Sequence, residues 1–373
     1  MNQVRYTRFL AVAVVALLVG ACNSSTSSTA PTSASAAPAS AAPASAAAAS
    51  AAPASAAAAS AAAKPITVAY ITPSLSVPFW KWMSGGVHEA AAKVGATVID
   101  YDSNNDGTKQ LANAQDAITK HVDAIVMSPT DSSAAPAVLQ AAATANIPVV
   151  IADIGTTSGT YLAFLTSTNE QGSNQAGAYL AQKLTAKGWA SGPVGEVTIP
   201  LARNNGKLRT KGFADAMAAA NIPIAGQLSW TTDTTAENEG LVQNIVTAHP
   251  GIHGFYCQSD DCTLAAVSVL KQAGKLNTST LVMGFDGSPA TVDCIKQGLV
   301  LGAAVQLPVE IGATSFQIAY DFVVNQKSPT QKDQLIPTVL VTQDNIATAS
   351  QQLIDTAYPA DAATGAGSTC PVQ

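Results

Sequence analysis

Short apolar runs alternate with stretches of helical periodicity from residue 66 to residue 325. Ile66–Ile71 is apolar, rich in β-branched residues and stopped by Thr72-Pro73, the pattern of a strand buried on both faces. Phe79, Met83, Val87, Ala90, Ala91 and Val94 then recur three and four residues apart up to Gly95, which predicts a helix with a glycine stop. The same alternation predicts strands at 97–101, 124–127, 147–151 and 162–165, with helices at 108–120, 133–146 and 170–187. It begins again at 195–199, with further strands at 225–230, 254–257, 281–285 and 302–305 and helices at 206–220, 235–248, 263–273, 289–297 and 309–325. Repeated strand–helix–strand units require right-handed crossovers and a parallel sheet with helices on its faces. The expected fold class is α/β. One sheet of ten strands is possible, but two sheets of five or six, in two lobes, is the more usual arrangement at this length.

The first 64 residues follow a different rule. Arg5 and Arg8 precede an apolar run, Phe9–Val19, of 11 residues. That is short of the roughly 20 needed to span a bilayer and reads as the core of an export signal. Val19-Gly20-Ala21-Cys22 resembles the bacterial lipobox, in which the cysteine is diacylated and becomes the new N-terminus. An ordinary secretory signal cleaved near Ala21 is the plainer alternative. Residues 23–63 contain 22 Ala, 11 Ser, 4 Pro, 3 Thr and one Asn, and AAPASAAAAS occurs twice. No side chain there can build a core, so 23–64 is expected to be a disordered linker, with a root-mean-square reach of roughly 35 Å.

Charge narrows the partners. All 24 acids and 15 of the 18 bases follow Lys64, so residues 65–373 carry −9. That balance argues against nucleic acid and against anionic lipid, both of which select Lys and Arg. The chain has no Gly-x-Gly-x-x-Gly after the first strand, no Walker lysine motif and no Gly-x-Ser-x-Gly elbow. His88, His121, His249 and His253 lack metal spacing. No enzyme, cofactor or metal is expected.

In open α/β sheets a ligand binds beyond the carboxyl ends of the strands. Those ends carry Ser74, Ser76, Pro78, Phe79 and Trp80; Ser128, Pro129, Thr130 and Asp131; Asp153; Arg203, Asn204 and Arg209; Gln258, Ser259, Asp260 and Asp261; Asp286-Gly287; and Gln306-Leu307-Pro308. Carboxylates, amides, a guanidinium and aromatic faces suit a neutral polyhydroxylated ligand. Three of these residues have plainer roles. Asp131 is expected to cap the helix after it, Asp261 could do the same, and Asp286 could cap the helix at 289–297.

Five cysteines include Cys22; the other four allow three pairings. Export favours disulfides. Cys257 ends a strand and Cys262 opens the next helix, so a short loop brings them into bonding range. That leaves Cys294 with Cys370, pinning the tail to the second lobe. Free buried thiols are the alternative.

Read in order, Pro78-Phe79-Trp80, Asp102-Ser-Asn-Asn105, Leu111-Ala-Asn-Ala-Gln-Asp116, Ser128-Pro-Thr-Asp131 and Ala145-Asn-Ile-Pro148 resemble the ribose-type periplasmic sugar-binding proteins of ABC transporters. Lys211-Gly-Phe213, Thr247-Ala-His-Pro250, Gly284-Phe-Asp-Gly-Ser288 and Gln306-Leu-Pro308 continue the resemblance across 66–340. It implies the type I periplasmic binding protein fold: two Rossmann-like lobes joined by a three-segment hinge, 65–167 plus 307–336 and 168–306 plus 337–373. Carried over by position, Phe79 and Trp80 stack on the ligand and Trp230 opposes them. Asp153, Arg209, Asp286 and Gln306 bind hydroxyls, and Ser259 and Asp260 occupy the family's Gln-Asn-Asp turn.

The chain departs from the family where Val77 replaces an Asn, Ile154 an Arg and Ser259 an Asn. Loss of the Arg removes up to five N–H donors. That argues against ribose itself and leaves a pentose, a hexose or a polyol held by fewer donors. Repressors of the same fold carry an N-terminal helix-turn-helix, which the leader and linker replace here. The implied protein is a monomeric, lipid-anchored, extracytoplasmic receptor that delivers a neutral sugar or polyol to an ABC permease and its ATPase. The alternative is a sensor that presents sugar occupancy to a membrane receptor or sensor kinase.

Overall fold

The computed structural model describes residues 65–349, 353 and 369–370. The leader, the Cys22 motif and the linker lie outside the described residues. The first half of the chain forms β1 (Thr67–Thr72), α1 (Pro78–Val94), β2 (Thr97–Asp102), α2 (Gly107–Thr119), β3 (Ala124–Met127), α3 (Ala135–Thr144), β4 (Val149–Ala152) and β5 (Ala163–Ser167). The second half forms α4 (Asn169–Ala186), β6 (Val194–Thr198), α5 (Asn204–Ala219), β7 (Ile224–Ser229), α6 (Thr235–Ala248), β8 (Gly254–Cys257) and α7 (Asp260–Gln272). It continues with β9 (Leu281–Asp286), α8 (Pro289–Lys296), β10 (Gly302–Val305), α9 (Pro308–Asn325), β11 (Asp333–Ile336) and β12 (Val339–Thr342).

Two six-stranded sheets result, in the orders β11-β5-β4-β3-β1-β2 and β12-β10-β9-β8-β6-β7. Every pairing in the first is parallel, and in the second only β12 runs antiparallel. The chain passes from one sheet to the other three times: between β5 and α4, between β10 and α9, and between β11 and β12. The fold is thus α/β with two lobes, as the alternation of apolar runs predicts.

Each lobe has cores on both faces of its sheet, because β1, β3, β4, β6, β8, β9 and β10 are apolar on both sides. One close helix pair anchors each lobe, α1 with α9 and α4 with α5. Gly86 and Gly312 let α1 and α9 touch backbone to backbone, since a Cβ at either would meet Val309 or Met83 carbonyl oxygen.

The edge strands β11 and β12 are absent from the sequence-based expectation. β11 (DQLI) is largely exposed and polar, so it carries no buried apolar run to read. Helix α3 starts at Ala135 rather than Ser133, because Asp131 Oδ1 accepts from the N–H groups of Ser133 and Ala134 and fixes the turn before it. Asp131 thus braces the turn that leads into α3, but the N-cap of α3 itself is Ala134, without a side-chain cap bond, so Asp131 is not the helix cap expected. Asp261 is not a cap either: Ser259 holds the N-cap of α7, and Asp261 lies inside its first turn. Asp286 does not cap α8 either, since Ser288 does, accepting from Thr291 N–H. The cysteines pair as Cys257–Cys262 and Cys294–Cys370. Among the described residues no helix is long and apolar enough to cross a membrane.

Candidate functional site

The site is built where the carboxyl ends of the two sheets meet. In the first lobe Asp153 follows β4 with φ +66°, a left-handed conformation rare outside glycine. Its N–H donates to Leu165 O and its carbonyl accepts from Thr166 Oγ1, so the turn is held from both sides. In the second lobe Asp286 ends β9 with φ +71°, followed by Gly287 at φ +80°. Two residues converge on one of its oxygens: Arg209 Nη1 donates to Oδ1 at 3.0 Å and Gln306 Nε2 donates to the same atom at 2.5 Å.

Arg209 has partners on every side. Its Nε donates to Asn169 Oδ1, its Nη1 also donates to Gln258 O, and the guanidinium lies 3.8 Å from the Phe285 ring centroid. Asn169 in turn donates to Thr166 Oγ1 and Ser167 O, where the chain first leaves the first lobe. Asp260 accepts from Gly287 N–H, Ser288 N–H and Thr291 Oγ1–H. It thereby fixes the turn on which Asp286 sits.

The segment Ala202–Asn205 of the second lobe docks directly on the first. Arg203 Nε donates to Thr130 O at 2.9 Å and its Nη2 to Asn105 Oδ1 at 3.3 Å. Asn204 N–H donates to Ser132 Oγ, and Asn205 Nδ2 donates to Asp153 Oδ2 at 2.9 Å. The Arg203 guanidinium also lies 5.1 Å over the Trp230 ring.

Burial shapes the charges. It pushes the Asp153 carboxyl up to about 6, with Arg209 pulling it down and Asp286 adding to the rise. Asp261 is pushed to about 6 by burial and then by Asp286, and Asp233 to about 7 by burial and then by Asp261. Asp260 is raised well above the carboxylate range by burial and by Asp286. Beneath them Glu196, buried and held by Gln227 and Gln258 amides, is pushed to about 7.

Eight buried side-chain polar atoms have no hydrogen-bond partner among the described residues. Six of them lie within three residues of the carboxyl end of a strand: Thr130 Oγ1, Asp153 Oδ1, Ser167 Oγ, Trp230 Nε1, Ser259 Oγ and Gln306 Oε1. The other two, on Asn238 and Ser315, are on helices. The large majority of buried side-chain polar atoms are paired, so a group of orphans gathered at one end of both sheets marks a candidate ligand site. A surface groove of about 560 Å³ between α4 and β12, lined by Gln175, Tyr179, Gln182 and Leu340, has no orphaned atom in its lining.

The periplasmic binding protein domain model matches residues 68–327. The chain belongs to the periplasmic binding protein family. Among its relatives, the ribose import binding protein of Salmonella typhimurium is 31% identical over 261 residues, covering 70% of this chain and 86% of that protein. The fold matches an ABC transporter solute-binding protein of Actinobacillus succinogenes solved with D-allose, with a TM-score of 0.69 and 24% identity, covering 76% of this chain and 99% of that one. It also matches the Caulobacter myo-inositol binding protein, with a TM-score of 0.71 and 23% identity, covering 77% and 96%. As a periplasmic binding protein the chain is a transport receptor rather than an enzyme. Among the described residues no cluster of His, Cys, Asp or Glu is placed to hold a metal.

The candidate site gathers most of the residues named from sequence. Asp153, Trp230, Ser259, Asp286 and Gln306 are buried at the strand ends, and Arg209 is buried in the second turn of α5. Phe79 and Trp80 open α1, pack edge to face at 4.9 Å and belong to the core of the first lobe. Trp82, two residues on, belongs instead to the apolar cluster of the second lobe that also includes Trp230 and Val309. Trp82, Asn169 and Asn205 were missed from sequence. Asn169 is the first residue of α4 and Asn205 the second of α5, where an Asn reads as ordinary capping chemistry.

Proposed function

We propose that this protein captures a neutral sugar or polyol between its two lobes and delivers it to an ABC permease. The observation that carries the reading is the set of orphaned atoms at the strand ends. Asp153 Oδ1 and Gln306 Oε1 require donors, Trp230 Nε1–H requires an acceptor, and Ser259 Oγ takes either. Hydroxyl groups meet all four needs. The relatives named for ribose import and the neighbours solved with D-allose and myo-inositol support the same class.

Charge selects against anions. Asp153, Asp233, Asp260, Asp261 and Asp286 cluster around Arg203 and Arg209, and mutual repulsion adds to the burial that raises four of them. A phosphorylated or carboxylated sugar would add to that repulsion. Ile154, fully buried beside Asp153, offers no donor and favours a ligand with few hydroxyls on that side.

The lobes, 65–167 plus 307–336 and 168–306 plus 337–373, close as a hinge over the ligand, with the Ala202–Asn205 contacts forming on closure. A diacylated Cys22 and the 23–64 linker hold this receptor above the outer face of the cell membrane, and it works as a monomer. A thermal-shift screen of pentoses, hexoses, deoxy sugars and polyols tests the reading, because a ligand of the native state raises the melting temperature. Hits confined to phosphorylated or carboxylated compounds would overturn it.

A further inference from the structure

Asp153 is a buried carboxylate to whose side chain the described residues of its own lobe give no donor. The next residue, Ile154, is fully buried in the apolar core of that lobe. Thr166 donates to the Asp153 backbone carbonyl rather than to the carboxylate. The one hydrogen bond to the carboxylate that the described residues supply comes from across the cleft, where Asn205 Nδ2 meets Oδ2 at 2.9 Å. Asn205 is itself buried, and its own Oδ1 accepts from Gly206 N–H, which fixes the amide with its NH2 toward Asp153.

We propose that Asn205 is a positioning and specificity residue for the ligand: reaching from the second lobe, it orients the Asp153 carboxylate through Oδ2 and leaves Oδ1 as the unpartnered oxygen for a ligand hydroxyl. This deepens the sugar reading and rests on it. Two consequences follow from the geometry. Asp153 presents Oδ1 as its unpartnered oxygen, and any hydroxyl that reaches Oδ2 must share it with the Asn205 amide. The bond also joins the lobes, so the residue that orients the acceptor forms part of the closed state.

The charged and titratable groups that act on Asp153 are Arg209 and Arg203 from the α5 region, Asp286 from β9 and Tyr70 from β1. The arginines favour the ionised form and Asp286 opposes it. Burial pushes the carboxyl up to about 6, and the Asn205 bond lowers it. Removing that bond moves the protonation of Asp153 to higher pH.

The test uses the exported chain and titration calorimetry between pH 5 and 8. The probes are a panel of neutral pentoses, hexoses, deoxy sugars and polyols that includes D-ribose, D-allose and myo-inositol. With the tightest wild-type binder, Asn205→Ala loses roughly tenfold or more in affinity at pH 7.5, as for a hydrogen bond to a charged group. Its affinity also begins to fall at a higher pH on acidification than that of the wild type. Asn205→Asp sets two carboxylates against each other, so it binds poorly at pH 7.5 and recovers toward pH 5.5, where one proton is shared. That reversed slope is not produced by misfolding. Profiles that superimpose on the wild type overturn the inference alone. Weaker binding in both variants with an unchanged pH dependence makes Asn205 merely structural, and also overturns it. If no member of the panel binds the wild type, the sugar reading fails and the inference falls with it.

Discussion

Asp153 and Asp286 occupy the same place in two different sheets: one follows the third strand of its sheet order, the other ends it, and both have left-handed backbone. A non-glycine residue in that region costs about 1–2 kcal/mol. The conformation is held in each lobe by a dedicated set of bonds, Leu165 and Thr166 around Asp153 and the Asp260-braced turn around Asp286. The result is one carboxylate from each lobe at the end of its sheet facing the cleft.

Asp286→Ala removes the acceptor shared by Arg209 and Gln306. Loss of a charged hydrogen-bond partner costs about 1.5–3 kcal/mol, so affinity for the best sugar of the panel drops more than tenfold. The variant also melts lower, because breaking a buried ion pair costs about 3–5 kcal/mol. Calorimetry and a ligand-free melt check both. Unchanged affinity in Asp286→Ala would remove the residue from the site.

Acid should stabilise the ligand-free protein. Asp153, Asp233, Asp261 and Glu196 hold their protons more tightly folded, at about 6 to 7, than an unfolded chain does at about 4. Their contribution is full below about pH 4 and is lost as pH rises through 6 to 7. The melting temperature therefore falls from pH 4.5 to pH 7.5. A melting temperature that climbs across that range contradicts the assignment.

The two disulfides differ in what they close. Cys257–Cys262 spans five residues and clips the loop carrying Gln258, Ser259 and Asp260, whereas Cys294–Cys370 spans 76. By loop entropy the short bridge contributes about 2 kcal/mol and the long one about 4–5 kcal/mol. Cys294→Ser with Cys370→Ser should therefore lower the melting temperature more. Cys257→Ser with Cys262→Ser should weaken ligand affinity more, because it frees the site loop. Paired ligand-free melts and titrations decide it.

Cys22→Ala should release the protein from the membrane fraction. Two acyl chains anchor stably where one binds only marginally. A wild type already soluble in a fractionation experiment would rule out the lipid anchor.

Small-angle scattering should show a more compact particle when the screened ligand is added. Arg203→Ala should reduce that compaction, since Arg203 joins Thr130 and Asn105 across the lobes. Equal dimensions with and without ligand in the wild type would contradict hinge closure.

The sequence by itself determined the α/β class, because buried parallel strands must be continuous apolar runs and their helices must show an apolar stripe. Strand ends bring chemistry together, so Asp153, Arg209, Asp286 and Gln306 could be named without coordinates. The turn at Asp131 and the Cys257–Cys262 bridge were legible because their partners lie within five residues. What the tertiary structure decided depends on contacts between distant segments. β11 is a polar edge strand and β12 a short apolar one of four residues, and both are defined by the neighbours they pair with. Asp260 serves a turn 27 residues away, and Asn205 serves an aspartate 52 residues away in the other lobe. An Asn at a helix start looks like a cap in any sequence. Only the docking of one lobe on the other, which local periodicity does not encode, turns it toward Asp153.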